Sequence, residues 1–289
     1  MRLKRKNGER LTVDSVQAMG MLAPMMIGFI IFTYVPIAYI LRYSLYNSNG
    51  FKESWVGLAN FTRLFTRDAA YWKSLGTTFI LAFGKLLVEI PLAMLLSLFL
   101  PAIISTAICG LIFSLMFASY NGIINTMLQN WGWIQKPINW FSNRWTALLV
   151  LGLASVWNNF GINMIFFLMA LQSVPKELYE SASIDGITPV KQFFSITLPM
   201  IGPTFQSVLL MAIVGSLKMA DLILASTNGQ PAGGTEVVMT YVFKYFFGYS
   251  GRKVEVGYAS AMAVITGIIL AIVSLIYMRM TKKIGNSVE

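Results

Sequence analysis

Apolar positions in this chain gather into long unbroken runs separated by short polar segments, instead of recurring on one face at helical spacing. A hydrocarbon core of ~30 Å takes roughly 20 helical residues to cross. On that measure the runs predict six transmembrane helices, at residues 19–46, 75–100, 101–119, 145–172, 200–226 and 259–280. Pro24 and Pro36 inside the first are tolerable, because neighbouring helices can re-satisfy the freed backbone groups. The expectation is an all-α, polytopic membrane protein with a tail of residues 1–18, a transmembrane domain of residues 19–280 and a tail of residues 281–289. No internal repeat is visible, so the duplication common in secondary transporters is not evident.

One junction resists this reading. The run from Leu75 to Tyr120 is far longer than one span, yet MLLSLFLPAIISTAICG, residues 94–110, carries no charge and no obvious loop. Pro101 alone is a poor hairpin, since each backbone group left unpaired in hydrocarbon costs several kcal/mol.

Composition agrees with a membrane protein. Hydrophobic residues make up 56% and charged residues 12%, against ~25% charged in soluble domains; the mean hydropathy is +0.65. The net charge of +10 forms no long basic stripe beside exposed aromatics, which argues against nucleic acid. Most basic residues flank the apolar runs. Six spans put both termini on one side, and the basic clusters at both ends favour the cytoplasm, although basic residues divide almost evenly between the two sides. MRLKRKNGER is basic like the front of a signal peptide, but the stretch after it is span-length and lacks a small-residue cleavage pattern, so it reads as a retained cytoplasmic tail. Cys109 is the single cysteine and there is no histidine. An internal disulfide, Ser-His chemistry and a metal centre are therefore not expected, and no paired carboxylates suggest a membrane enzyme. Gly84-Lys85 is followed by Leu86, so no phosphate loop is present and no nucleotide is expected on this chain. A channel or secondary transporter stays open at this point.

The informative polar segment is VPKELYESASIDGITPVKQFFSITLP, residues 174–199. It is too polar to span. Pro175 opens one helical stretch, and Asp185-Gly186 with Pro189 opens another, which predicts two short helices meeting at a glycine corner. Spacing alone leaves an ordinary solvated loop equally open.

Glu180-Ser181-Ala182, then Gly186, nine residues, and Ile196-Thr197-Leu198-Pro199 resembles the EAA loop of ATP-binding-cassette (ABC) importer permeases. The offsets agree throughout, and Ser181 is the one departure, standing where the pattern has alanine. YVPIAYILRYSLY, then WVGLANFTRLF at residues 55–65, and DLILASTNGQPAGGTEVVMTYVFKYFF at residues 221–247 resemble the carbohydrate-uptake group, which includes the maltose and glycerol-phosphate permeases. The N-terminal pattern is closer to the first permease of a heterodimeric pair. The resemblance implies type I importer architecture and a sugar or oligosaccharide as substrate, with glycerol phosphate or another polyol derivative as the alternative. It also implies a bacterial or archaeal plasma membrane, a second permease, an extracytoplasmic binding protein, and two ATPase subunits that carry the ATP and Mg. Glu180, Ser181, Ala182, Asp185, Gly186, Ile196, Leu198 and Pro199 would then seat in a cleft of an ATPase subunit. Such permeases carry a short basic cytoplasmic segment before a phrase like LPAIISTAICG, so a loop is expected to be missing between Leu100 and Pro101.

Polar residues inside the spans are costly and face protein or a water-filled path. Lys85 and Glu89, four residues apart, share a helix face and can neutralise one another; a structural pair is favoured over a substrate contact. On the fourth span Asn159 and Asn163 share a face, with Ile162 beside them and Trp157 and Asn158 nearby. On the fifth, Ala212, Ser216 and Met219 form a stripe, with Lys218 and Asp221 toward its outer end. A sugar site wants amides, hydroxyls and an aromatic face, which these helices supply. Helix-to-helix bonding by the asparagines is the competing reading.

Overall fold

The computed structural model describes residues 13–95 and 106–285, and is almost wholly helical. The first span is α1 (Val13–Phe29) and α2 (Val35–Tyr43), joined without a break by a π-helical turn, Ile30–Tyr34. Its cause is local. Pro36 has no N–H, and its ring would strike the carbonyl of Phe32 in a regular α-helix, so the turn before it widens and Val35 N–H bonds the Ile30 carbonyl. The helix begins at Val13, inside the segment expected to be a tail.

The polar stretch at residues 47–74 is structured where sequence suggested only a connection. A two-stranded hairpin, β1 (Tyr46–Ser48) and β2 (Glu53–Trp55), pairs Tyr46 with Trp55 and Ser48 with Glu53. Its tip is closed by the Asn49 carboxamide oxygen, which accepts from the Phe51 and Lys52 amides. An amphipathic α3 (Ala59–Arg67) follows and buries Asn60 and Leu64. Then α4 (Ala69–Leu95) begins six residues before the predicted second span, which starts at Leu75. Residues 96–105 fall outside the described residues, and with them the expected omission between Leu100 and Pro101.

Beyond them come α5 (Thr106–Met116), α6 (Ile123–Asn130) and the long α7 (Arg144–Gln172). The polar element after α7 holds α8 (Lys176–Ile184), α9 (Pro189–Gln192) and α10 (Leu198–Met200). A second π-helical turn, Phe193–Thr197, sits two residues ahead of Pro199, as the first sits two residues ahead of Pro36. The chain bends by 72° between the stretch Pro189–Met200 and α11 (Gly202–Leu217). The expected fifth helix is not continuous: α11 stops at Leu217, and α12 (Asp221–Ser226) starts afresh with Asp221 in its first turn, where an acid complements the helix dipole. The last helices are α13 (Val238–Phe247) and α14 (Val256–Gly285).

By length and composition four helices can cross a membrane, Met19–Tyr43, Ala69–Leu95, Arg144–Gln172 and Val256–Arg279, and the bent pair makes a fifth. The described part of the third predicted span, α5, is 11 residues long and ends before Ser119. Helix α4 is the axis of the bundle, because it supplies residues to all three apolar clusters. Leu75 packs with α13 and α14, Leu81 with α5, α7 and α12, and Ile90 with α7 and α11. By contrast, the described side chains of the first span from Met19 to Arg42 bury almost nothing within this chain.

One carboxylate ties the hairpin end of the bundle together. Asp68 precedes α4 and caps it, its Oδ1 accepting from the Tyr71 amide at 2.9 Å. The same oxygen accepts from Tyr241 of α13 at 2.8 Å, and Oδ2 accepts from Tyr258 of α14 at 2.6 Å. Burial, then the bonds to Tyr245 and Asp68, hold the Tyr241 hydroxyl well above its usual range. Gly257 lets α14 start directly on the hairpin: a Cβ there would stand 1.8 Å from the Tyr46 carbonyl oxygen.

Replacing Asp68 with alanine removes a cap worth ~1 kcal/mol and takes the acceptor from the Tyr258 hydroxyl, at ~1–3 kcal/mol, while Tyr241 keeps only its bond to Tyr245. The expected result is a clearly lowered thermal midpoint of the detergent-solubilised protein, with Asp68→Asn intermediate.

Candidate functional site

The segment at residues 174–199 forms a compact two-helix protrusion, and the glycine corner is its pivot. Pro175 starts α8, and Asp185 ends it. Gly186 then takes φ +73, a left-handed conformation that costs glycine nothing. Two hydrogen bonds close the corner: the Gly186 amide to the Ser183 carbonyl at 3.1 Å, and the Ile187 amide to the Ala182 carbonyl at 2.9 Å. This is the Schellman arrangement, which satisfies carbonyls that a helix end leaves free.

The second helix is clamped to the first. Gln192, buried, donates from Nε2 to Ser183 Oγ and to the Ile187 carbonyl, each at 3.0 Å. Tyr179 and Thr197 share a hydroxyl hydrogen bond of 2.8 Å. Val174 and Ile201, at the two roots of the protrusion, belong to the same apolar cluster as Ile90, Phe167 and Ala212. The element is thus a rigid body seated on the ends of α4, α7 and α11.

Its predicted residues divide by role. Glu180, Ser181, Asp185, Gly186 and Pro199 are exposed, while Ile196 and Leu198 are half-buried. Ala182 is buried, so its small side chain serves the packing of the protrusion itself. Sequence reasoning missed the outward apolar residues: Ile184 at 87% exposure, Val190 at 70% and Phe194 at 61%. With Leu178, also exposed, these large apolar side chains in a segment too polar to span were a legible signal. Gln192 offered none, because its partners lie across the corner.

Within the spans the structure sorts the polar residues into two groups. Lys85 Nζ stands 3.2 Å from Glu89 Oε2, the two side chains being 4% and 0% exposed. Asn163 of α7 donates to Glu89 Oε1 at 2.6 Å, so it joins this pair inside the α4–α7 contact. Ala212 and Met219 are buried in apolar clusters, and Ser216, also buried, donates to the Ala212 carbonyl of its own helix at 2.6 Å. The other group stays accessible on α7. Trp157 and Ile162 are exposed, Asn158 accepts from Thr106 of α5 at 3.1 Å, and Asn159 donates to the Ser155 carbonyl at 2.8 Å. Trp157 also packs on Phe113, ring centres 5.8 Å apart. An indole face beside two amides can contact a sugar ring and its hydroxyls. Lys218 and Asp221 are exposed at the break between α11 and α12. Among the described residues no three His, Cys, Asp or Glu side chains are grouped to hold a metal.

Comparison with known proteins gives a consistent result. Residues 18–288 match the family described as "Binding-protein-dependent transport system inner membrane component". The arabinooligosaccharides transport system permease protein AraP of Bacillus subtilis (strain 168) is 31% identical over 278 residues, covering 90% of this chain and 86% of the relative. The sn-glycerol-3-phosphate transport system permease protein UgpA of Salmonella choleraesuis (strain SC-B67) is 27% identical, covering 90% and 92%. Among solved structures, a chain of a bacterial alginate ABC transporter in complex with an alginate pentasaccharide-bound periplasmic protein superposes with a TM-score of 0.79. It is 23% identical, covering 94% of this chain and 96% of that one.

The clamp on the glycine corner is directly testable. Gln192→Ala removes two buried hydrogen bonds, each worth about 1 kcal/mol. Amide hydrogen exchange at residues 187–193 is expected to speed up while the middle of α7 keeps its protection.

Proposed function

The chain belongs to the family of binding-protein-dependent transport system inner membrane components, and from that membership we propose that it forms part of the translocation path of an ABC importer for a sugar or oligosaccharide. It is a permease subunit of such an importer. The observation that carries the functional reading is the rigid protrusion at residues 174–199, with Ile184, Val190 and Phe194 turned outward and its two roots packed against α4, α7 and α11. A lever of this kind suits a chain that hydrolyses nothing itself. ATP and Mg sit on two partner ATPase subunits, whose closure pushes the protrusion, and α7 follows because it enters α8 through only Ser173, Val174 and Pro175. The helix bundle then alternates between openings toward the cytoplasm and toward a loaded extracytoplasmic binding protein.

The remaining assembly follows the same reading. The four long helices, the bent pair and α5 support six spans in a type I arrangement, with both termini and the protrusion on the cytoplasmic side. The largely uncovered first span supports a second, homologous permease as its neighbour, since a membrane helix whose side chains stay almost all exposed is available for packing by another chain. This chain would be the first permease of that pair. Trp157, Asn158, Asn159 and Ile162 are the residues placed to meet the sugar. Likeness to a glycerol-phosphate permease keeps a polyol phosphate as the second reading.

The test is transport by the reconstituted complex, with its ATPase and binding protein, of labelled oligosaccharides and of glycerol phosphate. Uptake that requires ATP and the binding protein is expected; uptake without either overturns the reading. Gly186→Trp, in a complex that still assembles, is expected to cut uptake by about tenfold or more, a loss of coupling of roughly 1.4 kcal/mol. Wild-type uptake with that substitution would remove the coupling role from the glycine corner.

A further inference from the structure

We propose that the hydrogen bond from Asn163 to Glu89 is the clip that makes α4 move with α7, so that Asn163, Glu89 and Lys85 are positioning residues for transport; this rests on the coupling role of the protrusion given above. Around this bond the α4–α7 interface is apolar; the other polar contact between the two helices, Arg144 to Thr77 at 3.3 Å, lies at the start of α7, nineteen residues before Asn163. Ile90 and Ala93 of α4 meet Met164, Phe167 and Ala170 of α7, and contacts of that kind hold two helices together without setting their register. Apolar burial is non-directional and sets register only through shape, which a repacked interface can satisfy at more than one position. A directed bond between an amide and a buried carboxylate does set it, because breaking the bond strands a polar group in a medium that offers no water.

The geometry suits that task. Glu89 is fully buried and accepts from Asn163 at 2.6 Å on Oε1, while Lys85, also buried, faces Oε2 at 3.2 Å and balances its charge. Such an arrangement offers no net stabilisation over apolar residues of the same volume, so fixing register is the property that it adds. Asn163 lies on the helix that enters the protrusion, and Glu89 on the helix that supplies all three apolar clusters. A displacement of the protrusion therefore reaches the centre of the bundle through this bond.

The experiment uses the reconstituted transporter and reads sugar moved per ATP hydrolysed. Asn163→Leu removes the donor, and the double variant K85M/E89L removes the acceptor with both charges. Each is expected to lower the ratio about tenfold with the apparent KM for sugar-loaded binding protein unchanged. K85M/E89Q is equally neutral but keeps an acceptor for Asn163, and is expected to stay within about twofold of the unaltered protein. A normal ratio with Asn163→Leu, or K85M/E89Q falling as far as K85M/E89L, overturns the clip; a raised KM for sugar with a normal ratio makes Asn163 a substrate contact instead. Spin labels at the exposed positions Leu87 of α4 and Met169 of α7 keep the question open to test if any variant fails to assemble. Their separation is expected to be the same in the resting and vanadate-trapped complex, and a change above ~3 Å, larger than an ordinary helix shift, overturns the proposal. If the unaltered complex hydrolyses ATP but moves no sugar, the substrate reading fails while the label distances still decide the clip.

Discussion

Hydrocarbon supplies no hydrogen-bonding partners, and most of this structure can be read as the response to that fact. Backbone groups are satisfied within helices, and where proline interrupts the ladder at Pro36 and Pro199 the chain widens into a π-helical turn instead of leaving a gap. Most polar side chains in the spans follow the same rule. Asn163 of α7 bonds one carboxylate oxygen of Glu89 and Lys85 forms an ion pair with the other, Ser216 turns back on its own helix, and Asn158 accepts from Thr106, whereas the buried Ser260 hydroxyl has no hydrogen-bond partner among the described residues. The buried polar residues thereby become the contacts that give an apolar bundle its specific register.

The two ends of the bundle solve different problems. At the hairpin end, Asp68 collects donors from α4, α13 and α14, and Gly257 admits the hairpin against α14, so that end is locked by convergence on a few groups. At the other end the protrusion is locked internally, by the Schellman corner and the Gln192 clamp, and leaves its outward face unsatisfied. Internal rigidity with an open apolar surface is the combination that the proposed coupling role requires. A loop that absorbed the displacement in its own torsions would pass little of it to α7 and α11.

The substrate-facing reading changes under the same logic. Sequence placed Asn163, Ala212, Ser216 and Met219 with Trp157, Asn158, Asn159 and Ile162 along one path, because all are polar, small or soft residues at span depth. In the fold only the second set remains accessible on α7, and the first is consumed in helix contacts. Helical spacing tells which residues share a face but not what the face meets.

What the sequence determined by itself is the class, four of the long apolar spans and the glycine corner. Hydropathy over some twenty residues is a sum, and sums survive ignorance of neighbours; Asp185-Gly186 followed by Pro189 specifies a corner through backbone chemistry local to those residues. The tertiary structure alone decided the rest: the break between Leu217 and Asp221, the burial of Ala182, the hairpin on α14, Asp68 as a hub and Asn163 as the partner of Glu89. Each depends on a group distant in sequence. A hydrogen bond between residues 74 positions apart leaves no trace in the periodicity of either helix.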